Sequence, residues 1–117
     1  MKTILITGAD SFVGSHFLNY LRKKDAYKII AIGRKEKPKR FNPNGIVSYI
    51  KCDIFSDDIY NKLNDIEVDI CVHFAWDGVS GINRYDAGVQ TNNAIGTFNL
   101  VKVLSKRVQE IYWNGKH

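Results

Sequence analysis

Thr3-Ile4-Leu5-Ile6-Thr7-Gly8-Ala9-Asp10-Ser11-Phe12-Val13-Gly14 is the stretch that decides the fold. A short β-branched run ends at one glycine, and a second glycine follows six residues later inside an amphipathic pattern. The order reads as a strand, a tight turn and the start of a helix. The first turn of a helix carries unpaired N–H groups and a partial positive charge, so it can hold a pyrophosphate. Gly8 lets the chain turn with no side chain in a phosphate's way, and Gly14 lets the helix press against the strand. Fingerprints of this kind carry three glycines, and Ser11 stands at the middle position. Its hydroxyl can cap the helix or donate to a phosphate oxygen. Glycine turns also form for structural reasons alone, so this stretch needs support from the rest of the chain.

That support is an alternation of strands and helices. After the strand at 2–7, Val13, Phe17 and Leu21 recur at helical spacing to about residue 24. Lys28–Gly33 reads as a second strand, and a polar lysine-rich loop with a turn at Asn44-Gly45 follows it. Residues 46–52 form a third strand, and Ser56 caps a short helix to about Asn64, with Asp57 and Asp58 at its positive end. Val68–Phe74 is a fourth strand, a long helix runs from Asn83 or Asp86 to Ser105, and Val108–Trp113 starts a fifth strand. Such alternation implies a parallel sheet covered on both faces, and right-handed crossovers favour the doubly wound order. The ligand crevice then lies at the carboxyl ends of the first and fourth strands. The loops after strands one to four all converge on that edge.

The 117 residues are enough for one compact domain, 1–117, with a real core, but few for a complete enzyme. Hydrophobic content of 44% and charged content of 25% are ordinary for a soluble globular chain. No apolar run is long enough to span a membrane, and the N-terminus does not resemble a signal peptide. Cys52 and Cys71 lack metal-ligand spacing, so reduced thiols and a cytoplasmic location are expected. The net charge of +5 is concentrated in Arg34, Lys35, Lys37, Lys39 and Arg40. Without interleaved aromatics or a docking helix, this run reads as a solvated loop for the most part, not a nucleic-acid patch.

Four segments, in order, resemble the extended short-chain dehydrogenases/reductases, the NAD(P)-dependent epimerase/dehydratase group acting mainly on nucleotide sugars. Thr7–His16 fits that family's T-G-x-x-G-F-[IV]-G-S-H except at Ser11, and Cys52-Asp53-Ile54 fits the acidic residue that meets the adenine. His73-Phe74-Ala75-Trp76 fits the H-[LF]-A-x that lies along the cofactor, and Asn92–Leu100 fits the helix signature N-[VAI]-x-G-T-x-N-L. The resemblance implies a Rossmann-type doubly wound sheet, truncated here after the fifth strand. It implies a cofactor held by Gly8, Ser11, Phe12, Val13 and Gly14, by Asp53 and Ile54, by Phe74, Ala75 and Trp76, and by one of Asn92 and Asn93. Each has a plainer reading: Asp53 as a turn former, Trp76 as wall, Gly96 as a helix-packing position, and His73 as a packed strand-end histidine.

Arg34 bears on which dinucleotide is used. NAD-binding folds of this type end strand two with an acid for the ribose 2′-hydroxyl, whereas this strand ends Gly33-Arg34-Lys35. A guanidinium there suits a 2′-phosphate, so the sequence favours NADP over NAD. The family's chemistry uses a Ser or Thr after strand five and a Tyr-x-x-x-Lys on the next helix. Tyr20/Lys24 and Tyr112/Lys116 have that spacing, but the first belongs to the opening helix and the second to a strand ending at Asn114-Gly115. The expectation is therefore the N-terminal, cofactor-binding part of a nucleotide-sugar epimerase, dehydratase or reductase, inactive as it stands. The alternative is a non-catalytic or degenerate nucleotide-binding module. The expected partners are the dinucleotide and, in a full-length protein, a nucleotide sugar, with no nucleic acid and no membrane. An uncovered sheet edge makes a homo-oligomer an expectation as well.

Overall fold

The computed structural model describes residues 1–56, 58–75, 87–104 and 110–113. Its elements are β1 (Lys2–Thr7), α1 (Phe12–Lys24), β2 (Tyr27–Gly33), β3 (Val47–Lys51), α2 (Asp58–Leu63), β4 (Ile70–His73), α3 (Ala87–Leu104) and β5 (Glu110–Trp113). The strands form one five-stranded sheet in the order β3-β2-β1-β4-β5. Every pairing is parallel, with Thr7 opposite Ile32 on one side of β1 and His73 on the other. The chain winds outward from β1 to β3 and then crosses back to β4, so the order reverses between β1 and β4. Such a switch point leaves a crevice outside the strands' carboxyl ends.

Strand periodicity sorts the apolar side chains into two cores. Ile4, Ile6, Ile29 and Ala31 face α1 and pack on Leu18 and Leu21. Leu5, Ile30, Ile32 and Cys71 face the other way and pack on Ile59, Leu63, Leu100 and Leu104 of α2 and α3. Fully burying a leucine or isoleucine contributes about 1.5–3 kcal/mol, so these positions carry the two-sided packing a parallel sheet requires. Both cysteines are buried free thiols. Burial pushes Cys52 up to about 11 and Cys71 up to about 12, so neither is a thiolate at neutral pH.

The helix ends follow from local chemistry. Ser11 is the N-cap of α1, with its side chain accepting the Gly14 N–H, and Asp25 closes the helix in a left-handed conformation at φ 51°. Gly45, at φ +59°, makes the turn into β3. Strands three and four are shorter by one or two residues at each end than the sequence pattern suggests. An apolar run continues past the last ladder bond, as at Val68 and Phe74. The lysine-rich loop departs most from its sequence reading. Phe41 is buried against Tyr49 at 6.1 Å, and the Arg22 guanidinium donates to the Asn42 carbonyl and to Asn44. The loop is anchored rather than merely solvated. No helix among the described residues is long and apolar enough to cross a membrane.

Candidate nucleotide-binding site

A cleft of about 230 Å³ opens at the switch point. Its floor and glycine side come from Thr7, Gly8, Ser11, Phe74 and Ala75, and its far wall from Gly33, Arg34, Lys35, Tyr49, Ile54 and Phe55. Thus Gly8, Ser11, Arg34, Ile54, Phe74 and Ala75, six of the residues expected from sequence, line one cavity. Phe12, Val13 and Gly14 form the first turn of α1 beside it.

The turn is built by close approach. Gly8 has φ +62°, and a β-carbon there would lie 2.7 Å from the Ala75 nitrogen and the Phe74 carbonyl carbon. A β-carbon on Gly14 would lie 2.1 Å from the Gly8 carbonyl oxygen. The glycines thus pack the turn onto the end of β4 and the helix onto the turn. Ser11 completes this: its hydroxyl donates to the Gly8 carbonyl at 2.7 Å and accepts the Gly14 N–H at 3.0 Å. The Ser11 N–H also reaches the Gly8 carbonyl, at 3.1 Å. Among the described residues, the Phe12 and Val13 amides are left without an acceptor, as the first helical turn dictates. They form the donor end of a dipole at the cleft, which fits a pyrophosphate.

The other expected residues divide. Asp53 forms an Asx turn, with Oδ1 accepting the Phe55 N–H at 2.9 Å and its carbonyl accepting the Ser56 N–H and hydroxyl. It lies between the cleft-lining Cys52 and Ile54 without itself lining the cavity. Asn93 is 1% exposed within α3 and is not part of the cleft wall. Trp76 and the Asn92 side chain lie outside the described residues. Of the Tyr-x-x-x-Lys pairs, Tyr20 is exposed on α1 and the Lys24 ammonium sits 4.9 Å over its ring, not at its hydroxyl. Tyr112 is in β5, and Lys116 lies outside the described residues.

Beneath the cleft, His73 joins three elements. The Ala75 N–H donates to Thr7 Oγ1 at 3.2 Å, Thr7 Oγ1 meets His73 Nδ1 at 2.5 Å, and His73 Nε2 meets Thr97 Oγ1 at 3.0 Å. The Thr97 hydroxyl donates to the Asn93 carbonyl at 2.9 Å. Since that hydroxyl has one proton, His73 Nε2 must donate to it, and Nδ1 must accept from Thr7. The chain of bonds is then satisfied throughout with a neutral imidazole. Burial pushes His73 down to about 4, consistent with that form. The packed-histidine reading is the one the geometry supports.

Three contributors carry no role in the sequence reading. Asp10 lines the cleft and accepts the Lys39 and Arg40 N–H groups, binding the basic loop to the glycine turn. The only sequence signal for it is a lone acid in the turn that faces a run of cations. Tyr49 donates to the Lys35 carbonyl at 2.6 Å beneath the far wall. Thr97 stands one helical turn after Asn93, a spacing that suits a hydroxyl bonding back to a carbonyl.

A parallel sheet wound both ways from β1, with a glycine turn and capped helix at its switch point, defines a Rossmann-type nucleotide-binding fold. Residues 4–114 match the NAD dependent epimerase/dehydratase family, and the chain belongs to it. It is 27% identical over 111 residues to a Methanocaldococcus jannaschii protein whose name places it with the UDP-glucose 4-epimerases, covering 88% of this chain and 34% of that one. It is 38% identical over 84 residues to an Arabidopsis thaliana trifunctional UDP-glucose 4,6-dehydratase/UDP-4-keto-6-deoxy-D-glucose 3,5-epimerase/UDP-4-keto-L-rhamnose-reductase, covering 63% and 12%. Among solved structures it resembles Bacillus cereus UDP-glucuronic acid 4-epimerase in complex with NAD and a UDP-4-deoxy-4-fluoro-glucuronic acid. The TM-score is 0.66 at 24% identity, over 95% of this chain and 39% of that one. The chain therefore spans about a third or less of the length of the curated relatives it matches.

Proposed function

We propose that the 117-residue chain is the dinucleotide-binding part of an NAD(P)-dependent nucleotide-sugar epimerase, dehydratase or reductase. The observation that carries this reading is the open donor pair, Phe12 and Val13, set by a Ser11-capped turn at the mouth of the cleft. The family assignment and the NAD and sugar nucleotide bound by the Bacillus cereus relative support it. The first-turn amides would hold the pyrophosphate, and the wall of Arg34, Ile54 and Phe55 would take the adenosine. Phe74 and Ala75 would border the path toward the nicotinamide, with Asn92 or Asn93 beyond it. Asp53 would approach the adenine only with its remaining carboxylate lone pairs. The dinucleotide, when bound, supplies the hydride chemistry, and this chain's contribution is to bind and orient it.

The geometry of the Tyr20/Lys24 pair supports an inactive chain, and so keeps a non-catalytic nucleotide-binding module as the second reading. The Lys24 ammonium lies over the ring face of Tyr20 and not at its hydroxyl, where an acid/base pair needs it. Incubation with UDP-, GDP-, dTDP- and CDP-sugars and either dinucleotide is expected to give no turnover. Turnover that disappears in Tyr112→Phe would overturn this. Exposed Ile95, Phe98 and Val101 along α3 support self-association.

A further inference from the structure

We propose that Asp10 sets the ribose specificity of the cleft, selecting the free diol of NAD against the 2′-phosphate of NADP. The inference rests on the dinucleotide reading above and deepens it. Arg34 and Lys35 alone argue for a phosphate, and the cleft wall holds a counterweight that lies on the glycine turn, not at the end of β2.

Asp10 shares the cleft lining with Arg34 and Lys35. Its side chain is 10% exposed. Oδ1 accepts two backbone N–H groups, from Lys39 at 2.9 Å and Arg40 at 2.7 Å. Those bonds fix the carboxylate in place and use that oxygen. Oδ2 is buried without a hydrogen-bond partner, with Lys35 Nζ 3.8 Å away. A buried carboxylate oxygen with unused lone pairs is costly, and a hydroxyl donor relieves it. The Lys35 side chain is 59% exposed, so it can swing aside and admit one.

A ribose diol supplies such a donor. A 2′-phosphate does not, and its roughly −1.5 to −2 charges at neutral pH would face a fixed carboxylate. A carboxylate is how nucleotide-binding folds of this type read the ribose 2′-hydroxyl, and here the group is delivered from a different segment.

Calorimetric titration of the whole chain with NADH and NADPH tests the proposal. Wild type is expected to bind NADH about tenfold more tightly. Asp10→Asn, which keeps an oxygen for the Lys39 and Arg40 amides, is expected to improve NADPH binding about tenfold and to weaken NADH binding about threefold, which inverts the preference. The wild-type ratio reads the specificity even if the variant does not fold. Preference for NADPH in wild type, or no preference, would overturn the proposal. So would an Asp10→Asn variant that weakens both dinucleotides equally, since that would assign Asp10 to loop anchoring alone. Failure of wild type to bind either dinucleotide, or ADP, would instead overturn the underlying nucleotide reading, and this proposal with it.

Discussion

Gly8→Val is expected to abolish adenine-nucleotide binding and to lower the unfolding midpoint at the same time. The sequence argument for that glycine is room for a pyrophosphate. The structure adds a second constraint, because the β-carbon would collide with the Phe74–Ala75 backbone at 2.7 Å. A positive φ of 62° compounds the strain, which for a β-branched residue is on the order of 1–3 kcal/mol before any clash. The turn must move away from β4, carrying the Phe12 and Val13 amides with it. Calorimetry with ADP should give no measurable heat at millimolar ligand, and thermal unfolding without ligand should begin earlier than in wild type. Binding within about threefold of wild type would place the phosphate site elsewhere.

Acid should weaken the fold through His73. Its pKa falls from 6.5 in the unfolded chain to about 4 in the folded one, so folding resists protonation between those values. Stability is then complete above about pH 6.5, declines as pH falls toward 4, and loses about 3 kcal/mol over that window. A charged imidazole would bring a second N–H to Thr7, whose hydroxyl must then turn away and donate elsewhere. Urea unfolding at pH 7 and pH 5 measures the decline above the range where carboxylates dominate. His73→Gln should remove most of that pH dependence and also lower stability at pH 7, because the link from β1 through β4 to α3 is cut. An unchanged slope in the variant would show that other groups govern the acid response.

What the sequence made legible was set by short-range pattern. The glycine turn, the Ser11 cap and the two-sided strands are local features, and all lie where the residue types require. The switch point also followed, since alternating elements with right-handed crossovers leave few topologies. The roles of residues that act through distant partners were not legible. Phe41 looks like one apolar residue in a basic loop until β3 supplies Tyr49 to cover. Asp53 carries both a turn-former's and an adenine-reader's signature, and only the Phe55 amide reveals how one oxygen is used. Asp10 makes its bonds 29 and 30 residues away, beyond the reach of any periodicity. Thr7, His73 and Thr97 occupy separate motifs, and their shared proton order exists only once α3 lies on the sheet.

The central claim is that this chain binds a dinucleotide mainly through its adenosine half, at the carboxyl edge between β1 and β4. Competitive calorimetry of ADP against NADH on the 117-residue chain tests it most directly. The account predicts that ADP displaces NADH and binds within about tenfold of it, because the chain carries both the glycine turn proposed for the pyrophosphate and the cleft wall proposed for the adenosine. If no adenine nucleotide binds at millimolar concentration, the capped glycine turn is not a phosphate site and the account is contradicted.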